Sequence, residues 1–518
     1  MVHYPTKEQF LSDIVPYILV MVTPLFACLI FFICNGSSIF NYDAFNTRAN
    51  DELGYYHNIR MIRLWWGPEG YTGYNEVLTP MHGYGPYNVL TYVPYVIVSF
   101  LTGISSHNFV MYCNLIMILI SYAILVRFSE MSLSKSITVS IFLSTFLVAD
   151  YYILSGMTEA THIAFMVTVF GVMYRLYLSH VELNVQTKWI MIWVITALII
   201  FYGIIRPYEL IFILLPLLYV LKKEEKLRYY YAAIVSILTV FAVLIYFYLA
   251  NNYGSPYFTQ FGSMGIYLDY LKHGQIIDII ADIVQKNIES LNIITLLKYG
   301  SWNASVITLF ISLVLIMGVL LYTKLKRREL GARFWFDSIL LFSAVAIFES
   351  NILLYTSTNL ERTLLGISVL LGLSLCMQLE GRYRLISIMP TACVSLIVIL
   401  ALGGGTFVLP QESENNPHSE DAALRAEFES LMPFVDDPWD HTITFEPQFS
   451  DMYVMYLFPS YLGMQCCSED YLLENIDAHT LKSKYVWTEK GSPIDAACQS
   501  AGISEIWTNG DWGIYATR

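Results

Sequence analysis

FNTRANDELGYYHNIRMIRLWW, residues 45–66, is a polar stretch carrying the acidic pair Asp51-Glu52 soon after the apolar run Ile14 to Cys34. Its surroundings decide what it is. The 518-residue chain is 56% hydrophobic and 14% charged, with a mean hydropathy of +0.52, whereas soluble proteins carry about 25% charged residues. Apolar stretches near membrane-spanning length recur along most of the sequence. Residues 45–66 therefore read as a loop at a membrane surface. Ile14 to Cys34 is too long for a signal-peptide core and is followed by no small-x-small cleavage site, so it reads as an uncleaved first helix.

Working outward, the apolar runs predict about eleven transmembrane helices, near 14–34, 108–127, 136–155, 160–179, 189–205, 208–221, 230–250, 304–323, 335–355, 363–380 and 385–409. Basic residues cluster in alternate connections: Arg127 with Lys135, Arg175 with Lys188, KKEEKLR at 222–228, KLKRRELGAR at 324–333, and Arg382 with Arg384. All five fall on one face, the cytoplasmic one, provided that 84–104 (YGPYNVLTYVPYVIVSFLTGI) does not cross. Its two prolines and repeated tyrosines suit an interfacial or re-entrant helix. The expected fold is thus an all-α polytopic membrane bundle over residues 1–409. Its N-terminus is cytoplasmic, and its external loops are 35–107 and 251–303. Within the second loop, residues 275–300 place apolar positions at three- and four-residue spacing, as a helix lying on the membrane surface does.

Residues 410–518 hold 19 acidic against 5 basic side chains, which accounts for the whole net charge of −13. After the polar segment QESENNPHSED (411–421), LRAEFESLMPFV predicts a helix. YVWTEKG, PIDAACQSAG and SEIWTNGDWGIYATR then predict strand, helix and strand-turn-strand. The expectation is a small extracytoplasmic α/β domain. Cys28, Cys113, Cys376 and Cys393 lie in apolar helices as packing residues. In an oxidising exterior, Cys498 is expected to pair with Cys466 or Cys467. No metal-ligand spacing is visible. No basic patch with interleaved aromatics appears, so nucleic-acid binding has no support.

Charged residues at the external helix junctions are the candidates for chemistry, because ionisable groups between apolar spans are usually paired or functional. Asp51 and Glu52 are candidate bases, although Asp51 also suits an N-cap for the helix that follows. Glu159, in SGMTEAT, is a second acid, with a nearby Arg or His as the alternative role. Arg206, at the break IIRPYEL, and Arg362, in TNLERTLL, are candidates to hold a phosphate; for Arg206 the alternative is a local pair with Glu209. His57, Arg60, His82 and Tyr84 are candidate substrate contacts. The aromatics from Trp65 to Tyr95 fit an interfacial belt.

This pattern resembles the GT-C superfamily of integral membrane glycosyltransferases, which includes protein O-mannosyltransferases, lipid A aminoarabinose transferases and oligosaccharyltransferases. NDELGYY resembles the family's acidic motif in the first external loop, and YGPYNVLTYVPY its apolar, non-crossing element. SGMTEAT with Glu159 resembles the second acidic motif, and Arg206-Pro207 the basic residue near the fifth and sixth spans. The acceptor motif of the oligosaccharyltransferases and the β-trefoil insertions of eukaryotic O-mannosyltransferases have no counterpart here.

The resemblance implies an inverting transferase that moves a sugar from a polyprenyl-phosphate donor to a cell-envelope glycan, lipid or protein. It would act on the outer face of the plasma membrane, with Asp51 as general base, Glu52 and Glu159 as further catalytic acids, and Arg206 and Arg362 on the donor phosphate. A divalent metal is used by some members and not by others. The alternative of a different class is a transporter or flippase of lipid-linked sugars, which predicts internal repeats and midplane charges.

Overall fold

The computed structural model describes residues 14–27, 55–56, 58–59, 62–63, 89–103, 109–179, 183–222, 227–253, 267, 269–292, 301–354, 360–401, 422–435, 437–445, 458–459 and 461–518. The chain forms two compact units. The first comprises residues 1–42, 111–246 and 260–409, and the second 43–110, 247–259 and 410–518.

The first unit is helical. It contains α1 (Ile14–Ala27, with a π-helical turn at Ile18–Val22), and most of α3 (Phe109–Ser129). There follow α4 (Leu133–Thr145), α5 (Leu147–Ile153), α6 (Glu159–Leu178) and α7 (Val185–Ile205). A 3-10 segment, Pro207–Ile213, leads into α8 (Leu214–Lys222), and then come most of α9 (Arg228–Tyr253), α10 (Ile276–Leu291), α11 (Ser301–Lys326), α12 (Ala332–Leu354), α13 (Leu360–Gln378) and α14 (Arg384–Ala401). Each expected apolar run holds a helical segment. Among the described residues, however, six helices, or seven if α4 and α5 count as one span, are long and apolar enough to cross a membrane, not eleven.

Two departures have local causes. The run 136–155 is bent by 74° between α4 and α5. Phe146 leaves the helical region there, at φ −89° and ψ 65°. The Thr145 hydroxyl next to it bonds back to the Ile141 carbonyl at 2.8 Å and meets Thr391 of α14 at 2.9 Å, and such back-bonding bends helices. The run 208–221 begins as a 3-10 turn because Pro207 cannot continue α7; the Glu209 N–H bonds the Arg206 carbonyl, three residues back, at 2.9 Å.

Burial separates inner from outer helices. The most apolar stretch of α9 is 17% buried and that of α6 is 72% buried, so α9 is peripheral and α6 central. α13 is buried almost throughout from Thr363 to Met377. It packs closely because Gly366 and Gly372 leave notches: a Cβ at Gly366 would run into the Met166 sulfur of α6, and one at Gly372 into the Phe142 ring of α4.

In the second unit, Tyr55, Tyr56, Asn58, Ile59, Ile62 and Arg63 are helical, as expected after the acidic pair. They meet the segment formed by the 3-10 turn Val89–Tyr92 and α2 (Val93–Thr102). Asn58 donates to the Tyr92 hydroxyl at 2.9 Å, and Arg63 donates to the Ser99 carbonyl while lying 5.2 Å from the Phe100 ring centre. These contacts give Arg63 a structural role.

The C-terminal part is α/β: α15 (Ala422–Leu431), β1 (Thr442–Phe445), β2 (Gly463–Cys466), α16 (Glu469–Asp477), β3 (Tyr485–Glu489), α17 (Pro493–Ser500), β4 (Ser504–Thr508) and β5 (Trp512–Ala516). The sheet order is β2-β1-β3-β5-β4. β2, β1 and β3 are parallel, with Thr442 opposite Gly463 and Ile443 opposite Tyr485; the β3–β5 and β4–β5 pairs are antiparallel. The β4–β5 turn closes through Gly510, at φ +97°, and Asn509, whose side chain accepts the N–H groups of Asp511 and Trp512. The disulfide expected at Cys498 is not formed. Its thiol lies in the apolar core that also holds Cys467, Leu472 and Ile494, where burial pushes its pKa up to about 12 and keeps it from the reactive thiolate form. The Cys466 side chain lies outside the described residues.

Candidate functional site

Of the residues singled out from sequence, Asp51, Glu52, His57, Arg60, His82 and Tyr84 lie outside the described residues. The other three, Glu159, Arg206 and Arg362, come together. One oxygen of Glu159, Oε1, lies 3.3 Å from Nη2 of Arg206 and 3.1 Å from both Nε and Nη2 of Arg362.

Each comes from a different element, and the local chain explains its place. Glu159 opens α6, where the helix dipole favours a carboxylate. The turn before it is pinned from α3, since the Asn114 side chain donates to the carbonyls of Ser155 at 3.1 Å and Met157 at 2.8 Å. Arg206 caps the C-terminal end of α7 in extended backbone (φ −131°, ψ 99°), an end that favours a cation. The chain then folds tightly onto α7: a Cβ at Gly203 would run into the Leu210 side chain. Arg362 stands in the first turn of α13, where the dipole opposes a cation, so a carboxylate partner matters most there. Glu159 is 1% exposed and the Arg206 side chain 3%, whereas the Arg362 side chain is 14% exposed.

A second pair lies beside the first. His162, one turn after Glu159, has Nδ1 at 2.7 Å from Oε1 of Glu209. Both are buried, and the Tyr202 ring meets the imidazole edge-on at 5.5 Å between centres. The local pairing of Arg206 with Glu209, the alternative at the sequence level, is therefore replaced by two crossed pairs, Glu159–Arg206 and His162–Glu209. Sequence reasoning missed His162; the signal was its position, three residues after Glu159 and so on the same helix face.

The cluster is not saturated with hydrogen bonds. Glu159 Oε2, Thr158 Oγ1, His162 Nε2 and Glu209 Oε2 are buried and have no hydrogen-bond partner among the described residues. Buried polar atoms are rarely left so, at a cost of about 1–3 kcal/mol each, and here four of them gather around Glu159 and Glu209. Among the described residues, no group of three or more His, Cys, Asp or Glu could hold a metal ion.

No family model and no curated protein matches this chain. Among solved structures, it is similar to ArnT from Cupriavidus metallidurans bound to undecaprenyl phosphate. That likeness has a TM-score of 0.50 and 9% identity, and covers 97% of this chain and 98% of that one. The apo state of ArnT aligns at a TM-score of 0.47 and 11% identity, over 91% and 94% of the two chains. The chain has an ArnT-like fold, with at least six helices among the described residues long and apolar enough to cross a membrane, as in a multi-pass membrane protein.

Proposed function

We propose that this protein is a membrane glycosyltransferase that takes its sugar from a polyprenyl-phosphate donor and passes it to a cell-envelope acceptor on the extracytoplasmic face, with inversion. The observation that carries this is the convergence of Arg206 and Arg362 on Glu159 at a buried, under-bonded polar cluster. Paired guanidiniums bind phosphate oxygens through charge-assisted, bidentate hydrogen bonds. In a site poor in water they stabilise the charge that builds on a departing phosphate. The ArnT-like fold and the undecaprenyl phosphate bound by ArnT support the same class of donor.

The difference in burial supports a division of roles. Arg362, the more exposed of the two, is the direct phosphate contact. Glu159 orients both guanidiniums, and Arg206 supports it from within. A carboxylate gripped by two guanidiniums is ill suited to accept a proton, which leaves general-base duty to Asp51, with Glu52 beside it. A base within reach of the acceptor proton is what the transfer needs.

The test is direct. Protein purified in detergent is incubated with a panel of polyprenyl-phosphate sugars, and donor consumption is followed for the wild type and for Asp51→Asn, which keeps size but removes basicity. We expect consumption of one donor class and a loss of at least about a hundredfold in Asp51→Asn. Full turnover in Asp51→Asn, Glu52→Gln and Glu159→Gln alike would remove the assignment of these acids, and no consumption of any donor by the wild type would remove the enzymatic reading.

A further inference from the structure

Arg206 and Glu209 are three residues apart across Pro207, a spacing at which side chains of a helical turn meet, and they lie within electrostatic reach of each other. Local pairing between them is the short-range choice of the sequence. It is not the one adopted. Glu209 directs Oε1 to His162 at 2.7 Å, while Arg206 reaches Glu159 at 3.3 Å.

We infer that His162 is a selector: by engaging Glu209 it prevents that carboxylate from capturing Arg206, and so keeps Arg206 on Glu159, where it meets Arg362. The role is one of positioning. Glu209 and Glu159 are both buried acids close to one guanidinium, and when ionised they compete for it strongly because the surrounding medium screens them little. Occupying one oxygen of Glu209 with the imidazole weakens its claim. Without His162, Glu209 would have no other hydrogen-bond partner among the described residues, and Arg206 is a cation within its electrostatic reach. Glu159 would then hold Arg362 alone, and the paired-guanidinium geometry would be lost. This inference rests on the proposed phosphate role for its consequence in function, but the partner choice itself can be read separately.

The probe is undecaprenyl phosphate, titrated into purified full-length protein in detergent. His162→Leu fills the space against Tyr202 but cannot bond Glu209. We expect it to weaken binding about tenfold, the scale of one lost charge-assisted hydrogen bond. His162→Asn, whose amide takes the place of Nδ1, should bind within about threefold of the wild type. The decisive variant is His162→Leu/Glu209→Gln, in which the competitor has lost its charge. Binding should return toward the wild-type value, an outcome that a merely structural role for His162 does not give.

Wild-type binding by His162→Leu, or no recovery in the double variant, overturns the inference. Arg362→Ala serves as the separate check on the phosphate reading. If it binds like the wild type, that reading falls, and the partner choice is then decided by thermal unfolding. The coupling between Arg206→Ala and Glu209→Gln should be clearly larger in His162→Leu than in the wild type. Equal coupling in both backgrounds also overturns the inference.

Discussion

α13 carries an ionic cluster at each end, about 18 Å apart along its axis, and the two are built differently. At its last turns, Asp337 of α12 is fully buried and fully bonded. Its Oδ2 takes Lys324 at 3.1 Å and Arg333 at 3.0 Å, and its Oδ1 takes the Ser374 hydroxyl at 2.7 Å. Arg333 also donates to the Ser374 carbonyl at 2.7 Å. At the first turn, Glu159 likewise sits between two cations, but its Oε2 is left without a partner among the described residues, as are Nε2 of His162 and Oε2 of Glu209. The same ingredients, one acid and two bases, give a fully bonded carboxylate at one end and a half-bonded one at the other, although Nε2 of Gln378, whose amide oxygen takes Lys324, also lacks a partner among the described residues. On the proposed function, the half-bonded carboxylate is the one that orients a phosphate contact.

The largest effect expected from this contrast is on stability, at the fully bonded end. Asp337→Ala leaves Lys324 and Arg333 without their shared carboxylate, and breaking a buried pair from one side costs about 3–5 kcal/mol. Thermal unfolding in detergent should show it, while the folded variant should bind undecaprenyl phosphate as the wild type does. Loss of binding with unchanged unfolding would erase the distinction between the two ends. Arg362→Ala should do the reverse: it should lower turnover about a hundredfold with a much smaller change in unfolding temperature, because the residue is partly exposed. Sharper still is Arg362→Lys, which keeps the charge and loses the fork. About a tenfold loss is expected; retention of full turnover would mean that charge alone suffices.

The smallest effect concerns a second saturated acid, Asp495 in the C-terminal α/β part. Burial by itself would raise its carboxyl, but Lys490 at 2.8 Å, the Tyr515 hydroxyl and the Gly491 N–H outweigh that and hold it at about 2, below its usual 3.8. A depressed carboxylate pKa stabilises the fold above pH 4, and this contribution is lost as the pH falls from about 4 through 2. Because Lys490 is partly exposed, the amount is on the order of 1 kcal/mol. Acid titration of Asp495→Asn, followed by near-UV circular dichroism, should show a shallower loss over that window than the wild type. Parallel curves would assign the acid sensitivity to other carboxylates.

Much of this molecule could be read from its order of residues, for physical reasons that also show where the reading stops. Apolar runs report on local burial, and the β-branched and aromatic segments of 485–516 are set off by glycine-containing turns, so the helices and the β3–β5 region were legible. β1 and β2 were not. Each has four residues, and β1 is buried on both faces, so it shows no alternation to detect. The bend at Phe146 carries no proline or glycine to announce it. At the candidate site, the residue types were legible because charges beside apolar spans stand out, but their partners were not. Arg362 reaches Glu159 across 203 positions, and the obvious neighbour of Arg206 is engaged by a histidine on another helix.

The glycine notches of α13 bear on how the protein can move. A helix that advances by one residue shifts about 1.5 Å and turns about 100°, which would bring a larger side chain against Phe142 or Met166 in place of Gly372 or Gly366. α13 is therefore indexed along its own axis, like a key seated in its wards. Arg362 rides on it with no axial play. On the proposed function, any opening beside the cluster would fall to less regular parts of the bundle, such as the 3-10 segment after Pro207 and the angled joint between α4 and α5.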